Sequence, residues 1–324
     1  MTIPRVSFEF FPPQTLDASF RLWETVQVLA PLKPSFASVT YGAGGATRKL
    51  THDAVTTIGR NYGLNVAAHL TCVNATRTET MEIAAAYAEA GVTEIVALRG
   101  DAPKGADRFV PHAEGFASSV DLIGALAKTG KFKLRVGAYP EAHPDAVNAA
   151  ADVAYLKRKM DAGASSAITQ FFFDADTFFR FRDACQAAGI TAPIIPGILP
   201  IQNWDAAKRF AARCGTKVPQ RLDEAFTMAA RDGRTDLLAL TQCTVLCDRL
   251  IQGGVEDLHF YTLNRPHLTR DVCHALGISP DVALEKGCLI TLACSLAENL
   301  YPWADLEKDY ARAKAHFHSE RPEP

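Results

Sequence analysis

The chain has 324 residues, 48% of them hydrophobic and 22% charged, a balance that excludes a disordered or collagen-like polypeptide. Thirty-four basic residues against 36 acidic ones leave a net charge of -2, so no basic field gathers a nucleic acid backbone or an anionic membrane, and a small-molecule partner is expected. Met1 to Arg5 lead into a strand-like run without a basic-then-apolar leader, and the longest apolar run, Cys288 to Leu296, is too short to cross a bilayer, so a cytoplasmic protein is expected.

In chain order, β-rich runs occur at Val6 to Phe11, Phe36 to Tyr41, Asn65 to Leu70, Glu94 to Arg99, Arg135 to Pro140, Ala167 to Phe172, Pro193 to Ile198 and Asp257 to Leu263. Helix-length stretches lie between them, among them Asp17 to Leu29, Thr76 to Ala90, Asp145 to Ala162, Asp174 to Ala188 and Trp204 to Arg213, with room for a further helix before the last strand. Strict alternation implies parallel pairing, and eight units close naturally into a (β/α)8 TIM barrel of the α/β class. No Pro/Ser/Gly-rich linker interrupts it, so residues 1–278 read as one barrel. Residues 279–324 read as a helical extension packed on the barrel, with one apolar helix, suited to self-association, and one charged helix.

In a barrel one parity of each strand meets the surrounding helices and the other meets the lumen, where chemistry sits at the carboxyl end. On the first strand Val6, Phe8 and Phe10 form one face, which turns Ser7 and Glu9 inward. Burial among phenylalanines is expected to raise the Glu9 carboxyl and suit it to general acid work; the alternative is a lumenal ion pair with Arg99 or Arg135. The same reading turns Thr40 and His69 inward, and Arg99 with Asp101 inward against Val96 and Leu98. Tyr139, Gln170, His259 and Tyr261 join them from later strands, while Phe171 and Phe173 take the outer parity. So many polar groups at carboxyl ends are how a barrel builds a site.

Other patterns carry less. Gly42 to Thr47 follows a strand, but Thr47 stands where a dinucleotide fingerprint needs its last glycine. Eight cysteines form no Cys-x-x-Cys pair, and Cys243 and Cys247 read as core thiols, so no metal site is expected.

Nine segments, taken in order, resemble the methylenetetrahydrofolate reductases, flavin enzymes built on a (β/α)8 barrel. They are Phe8-Glu9-Phe10-Phe11-Pro12-Pro13, Ser38-Val39-Thr40-Tyr41-Gly42-Ala43, His69-Leu70-Thr71-Cys72, Ala97-Leu98-Arg99-Gly100-Asp101, Ala138-Tyr139-Pro140-Glu141-Ala142-His143-Pro144, Leu156-Lys157-Arg158-Lys159, Thr169-Gln170-Phe171-Phe172-Phe173-Asp174, Pro196-Gly197-Ile198-Leu199-Pro200 and His259-Phe260-Tyr261-Thr262-Leu263-Asn264-Arg265.

The resemblance implies noncovalent FAD, reduced by NADH or NADPH and reoxidised by 5,10-methylenetetrahydrofolate to give 5-methyltetrahydrofolate, the methyl source of methionine biosynthesis. A catabolic relative that oxidises 5-methyltetrahydrofolate, and a flavin-free folate-binding or methyl-transferring barrel, are the alternatives. By position Thr40, His69, Arg99, Gly100, Asp101, Tyr139, His143, Asp152, Arg158 and Lys159 match the FAD contacts. Arg158 and Lys159 suit the diphosphate, and Asp101 the flavin pyrimidine end. Tyr155 stands where relatives commonly carry an amide. Glu9 matches the general acid that protonates nitrogen-10, with Gln170, Phe210, Tyr261 and Arg265 the folate contacts. The short extension cannot form a large regulatory domain, so no allosteric control by a methyl donor is expected.

Overall fold

The structure, a computed structural model, describes residues 3–41, 47–100 and 109–281. Asp101, the glycines between 42 and 46, and the two helices expected after Pro280 lie outside the described residues.

Among the described residues nine strands form one parallel sheet: β1 (Arg5–Phe10), β2 (Phe36–Val39), β3 (Val66–Thr71), β4 (Glu94–Leu98), β5 (Lys133–Ala138), β6 (Ser166–Thr169), β7 (Ile194–Ile195), β8 (Gly197–Ile198) and β9 (Asp257–Tyr261). Only Pro196 separates β7 from β8, so the two short pieces make one stave, β7 pairing with β6 and β8 with β9. Proline has no N–H to give to a ladder, which breaks the stave there. Because β1 pairs with both β2 and β9, the circle closes as an eight-stave barrel.

Helices α1 (Leu16–Leu29), α2 (Arg48–Tyr62), α3 (Arg77–Glu89), α4 (Ser119–Lys128), α5 (Ala149–Asp161), α6 (Ala175–Ala187), α7 (Trp204–Cys214), α8 (Gln220–Arg231), α9 (Thr235–Gln252) and α10 (Pro266–Ala275) cover the barrel. Their starts follow side-chain chemistry. Thr15, Ser118, Asp174 and Asn203 each accept a first-turn N–H, and Thr76 with Glu79 closes a reciprocal capping box. Helix α5 begins four residues later than expected because Asn148, not Asp145, caps it, leaving 139–148 as a rim loop. Two helices beyond α7, rather than one, occupy the stretch before β9.

Phe8, Phe10, Val39 and Phe260 pack outward against Leu22, Trp23 and Val26 of α1, and the lumen carries its own apolar layer of Phe36, Ala67, Val96, Ile168 and Ile195. Val96 and Leu98 therefore face inward, and Ile95 and Ala97 meet the helices, the reverse of the expected parity on this strand. The cause is Glu94, which opens β4 and turns inward to bind Arg135; Arg99 lies past the end of the strand and is free of its alternation. The described chain ends at Asp281, tied to the barrel by its N–H to the Pro31 carbonyl (2.8 Å) and by Lys33 (2.6 Å). Among the described residues no helix is long and apolar enough to cross a membrane, and no group of acidic, His and Cys side chains is arranged to hold a metal. Cys243 and Cys247 are buried, as expected of core thiols, and burial pushes the Cys247 thiol well up.

Candidate active site

Glu9 points into the lumen, as the β1 alternation requires, with its side chain 14% exposed. Neither arginine is its partner: Arg135 binds Glu94 through Nε at 2.6 Å, and Arg99 reaches Asp145 at 2.9 Å. Two imidazoles face it instead. His69 Nε2 of β3 lies 3.3 Å and His259 Nε2 of β9 lies 3.8 Å from Glu9 Oε2, and Ser38 Oγ donates from 3.5 Å. Burial is the largest single influence on this carboxyl and pushes it up, but the two imidazoles together outweigh it and bring it from 4.5 down to about 2. The expectation of a raised carboxyl is thus overturned. Its partners come from strands 60 and 250 residues away, which strand parity cannot pair.

His259 is fully buried, with Nδ1 2.8 Å from Ser7 Oγ, whose one hydrogen can go either to Nδ1 or to the Leu258 carbonyl 3.3 Å away. Burial pushes the His259 imidazole down, against the pull of Glu9. Next to Glu9 in register stands Tyr261, whose hydroxyl donates to the Thr169 carbonyl at 2.7 Å; burial raises this phenol well above its ordinary value and keeps it neutral. A Cβ on Gly197 would lie 2.1 Å from the Thr169 carbonyl oxygen and 2.6 Å from Tyr261 Cε2, so only glycine lets the Tyr261 ring lie there.

A second group of polar side chains lines the rim above β4 and β5. Arg99 is clamped by Asp145, Tyr139 and His143 meet edge to face at 4.5 Å, and the Asp152 carboxylate accepts the His143 N–H at 2.9 Å. Lys159 Nζ donates to the Gly137 carbonyl at 2.8 Å; burial, with Arg99 nearby, lowers this amine from 10.5 to about 8. The Tyr155 ring lies under both cations, 5.4 Å from Arg158 Cζ and 5.2 Å from Lys159 Nζ, and its hydroxyl pairs with Ser119 at 3.1 Å. Gly100 has φ +88, where a Cβ would press on Val73 and Thr71, and the buried Thr71 Oγ1 beneath it has no hydrogen-bond partner.

The family profile described as "Methylenetetrahydrofolate reductase" matches residues 2–277. The chain belongs to the methylenetetrahydrofolate reductase family. It is 45% identical over 279 residues to the 5,10-methylenetetrahydrofolate reductase of Pectobacterium carotovorum, covering 86% of this chain and 92% of that one. Identity to the Escherichia coli protein of the same name is also 45%, over 276 residues, covering 85% and 91%. A relative named methylenetetrahydrofolate reductase (NADH) 1 from Arabidopsis thaliana is 37% identical over 86% of this chain but only 49% of its own length. A solved structure, an uncharacterized protein from Clostridium thermocellum that binds two copies of 5-methyl-5,6,7,8-tetrahydrofolic acid, matches with a TM-score of 0.53 at 12% identity, covering 86% of this chain and 96% of its own, a likeness of fold alone. As a member of the reductase family the chain is an enzyme, an oxidoreductase.

Within this reductase fold the motif residues separate into three places. Glu9 and His69 meet in the lumen, while Arg99, Tyr139, His143, Asp152 and Lys159 gather on the rim. Phe210 and Tyr261 flank the cluster of Phe171, Phe173 and Trp204, with Phe210 4.9 Å from Phe171. Thr40 is held at the end of β2 by its N–H to the Phe10 carbonyl, and Gln170 follows β6 with its side-chain oxygen on the Phe171 N–H at 3.0 Å. Arg265, before α10, binds Gln202 from both its carbonyl and its guanidinium. Asp145 and Gln202 were not foreseen, since each is an ordinary loop residue whose partner is remote in sequence. Ser7 and His259 carried a signal, the inward parity of Ser-x-Glu and His-x-Tyr.

Proposed function

We propose that this reductase converts 5,10-methylenetetrahydrofolate to 5-methyltetrahydrofolate with electrons from NADH or NADPH, carried by noncovalent FAD in a ping-pong cycle. When bound, FAD supplies the hydride chemistry, accepting from the nicotinamide and delivering to the one-carbon unit of the folate. The rim supports this fit. Lys159 is a buried amine that donates to the Gly137 carbonyl, and Arg158 stands beside it over the same ring, the donor set a diphosphate requires. The unpartnered Thr71 hydroxyl leaves a buried polar group at this edge for a ligand to satisfy. Thr40, His69, Arg99, Gly100, Tyr139, His143 and Asp152 would complete that set, with Asp101 at the pyrimidine end as the family motif implies.

The observation that carries the reading is the Glu9, His259 and Ser7 chain. Opening the five-membered folate ring needs a proton on nitrogen-10, and Glu9 is the group to deliver it. With the Ser7 hydroxyl turned to His259 Nδ1, Nε2–H faces the Glu9 carboxylate across 3.8 Å. One added proton reverses the order: Ser7 turns its hydroxyl to the Leu258 carbonyl, Nδ1–H donates to Ser7, and the bare Nε2 faces a protonated Glu9 across 3.8 Å. The imidazole changes tautomer without becoming a cation, so a carboxyl that rests as an anion is converted to an acid. Gln170, Phe210, Tyr261 and Arg265 would hold the folate above it.

The test is the purified protein under anaerobic conditions. A yellow preparation that bleaches with NADH or NADPH and regains its absorbance with 5,10-methylenetetrahydrofolate is expected; a colourless protein that stays inactive with excess FAD refutes the reading.

A further inference from the structure

Beneath the Glu9 layer the lumen holds a second charged pair that the acid step does not use. Arg135 and Glu94 are both buried and joined at 2.6 Å, with Arg135 Nη1 donating to Ser166 at 3.1 Å and Asn65 donating to the other Glu94 oxygen at 2.8 Å. The guanidinium carbon sits 3.7 Å from the centre of the Phe36 ring. That ring in turn stacks on His259, 5.5 Å between centroids and 10° between planes. The three side chains thus form one contact series, Arg135 to Phe36 to His259, that ends at Glu9. A buried ion pair is by itself weak evidence for a role in stability. The neighbouring lumen is filled by Val96, Ile168 and Ile195, and replacing a buried ion pair by apolar residues is often neutral or stabilising.

We propose that Phe36 and Arg135 are positioning residues for the proton-delivery step: Phe36 fixes the plane of His259, and the guanidinium charge beyond it directs an incoming proton to Glu9 instead of to the imidazole. The inference rests on the reading of Glu9 as the acid. An added proton has two resting places in this chain of groups, an imidazolium beside a carboxylate or a neutral imidazole beside a carboxylic acid. Only the second can protonate nitrogen-10. Arginine is always charged, and in a buried lumen a fixed cation disfavours a second cation nearby. The groups facing His259 are Glu9 from β1, His69 from β3, Arg135 from β5 and the neutral Tyr261 of its own strand. Glu9 favours the imidazolium; His69 and Arg135 oppose it. Glu94 holds Arg135 from the far layer, with Lys133 3.8 Å from its other oxygen.

Two measurements on the full chain test this. Histidine carbons are labelled and followed by NMR across pH 5.5 to 9 (roughly the range over which imidazoles titrate), the His259 signal being assigned by its loss in His259→Asn. It is expected to stay neutral in the wild type and in Arg135→Lys, which keeps the charge, and to titrate inside this window in the Glu94→Gln/Arg135→Met double variant. Identical His259 behaviour in wild type and double variant overturns the proposal, as does a titrating His259 in Arg135→Lys.

Stopped-flow kinetics supplies the second measurement. Phe36→Leu, which keeps an apolar side chain but loses the stacked ring, is expected to slow the folate half-reaction about fivefold, the worth of an aromatic pair, with a shifted pH profile and little change in nicotinamide oxidation. Equal losses in both half-reactions, or an unmoved pH profile, mark a structural role and overturn it. If the wild type lacks the folate half-reaction, the reading of Glu9 fails, whereas the NMR comparison still decides where the proton resides.

Discussion

Replacing Glu9 by Gln keeps the size and one acceptor oxygen but removes both the charge and the proton, and the structure sets a separate magnitude for each. Holding the carboxyl at about 2 against its ordinary 4.5 corresponds to about 3 kcal/mol of stability at neutral pH. The sign follows from the lowered value: the contribution is complete above the unfolded carboxyl's 4.5 and fades as pH falls toward 2, to about 2 kcal/mol near pH 3.5. Some is recovered because the amide still accepts from a neutral imidazole, so Glu9→Gln is expected to lose about 1–3 kcal/mol at pH 7. Urea titrations at pH 7 and pH 3.5 should show the gap from wild type narrowing. The lost proton acts elsewhere. Nicotinamide oxidation needs no donor at this position and should persist, while the folate half-reaction should fall about 10²- to 10⁴-fold. Equal falls in both half-reactions, or a folate step within tenfold of wild type (about the smallest loss that separates acid catalysis from altered packing), would refute the argument, and a stability gap that widens in acid would refute the imidazole pairing.

Gly197→Ala should cost about 2–4 kcal/mol, from overpacking against Thr169 and loss of the Tyr261 to Thr169 hydrogen bond; a thermal melt indistinguishable from wild type would show that the stave can shift freely. Lys159, held near 8, should make FAD affinity decline as pH rises past that value, because the diphosphate prefers the ammonium form. Fluorescence titrations of the apoprotein from pH 7 to 10 (roughly spanning the free and lowered amine values) should show this decline in wild type and its absence in Lys159→Met. Gly100→Ala must hold φ +88 and press on Val73, so weaker FAD retention on a desalting column is expected, and full retention would remove Gly100 from the site.

The barrel was legible because each β-rich run is short, is followed by a helix-length stretch, capped by a side chain after six of the eight staves, and alternates cleanly where one face is apolar. On β1 the phenylalanines identify the outer face, and Glu9 follows. On β4 the run Glu94-Ile95-Val96-Ala97-Leu98 is apolar on both parities, so alternation has no direction, and the inward turn of Glu94 toward Arg135 decides it. Pro193 to Ile198 reads as one strand, although Pro196, which has no N–H for a ladder, is the local mark of the break between β7 and β8. The carboxyl of Glu9 was misjudged for a third reason: burial is visible in a neighbouring sequence, but compensation by His69 and His259 is a property of closure.

That β1 lies between β2 and β9 also fixes a schedule. Ser7 and His259 are 252 positions apart, so during synthesis at ~5–20 residues per second the first stave waits on the order of 10–50 s for its second neighbour. Through that interval one edge of β1 offers unpaired N–H and C=O groups to any extended chain nearby, and Phe8 and Phe260 lack each other. A nascent chain stopped before Asp257 has every rim residue of β4 and β5 but no imidazole from β9 beside Glu9. For most of synthesis, therefore, the barrel cannot close, and the edge of β1 that β9 will cover lacks its native partner.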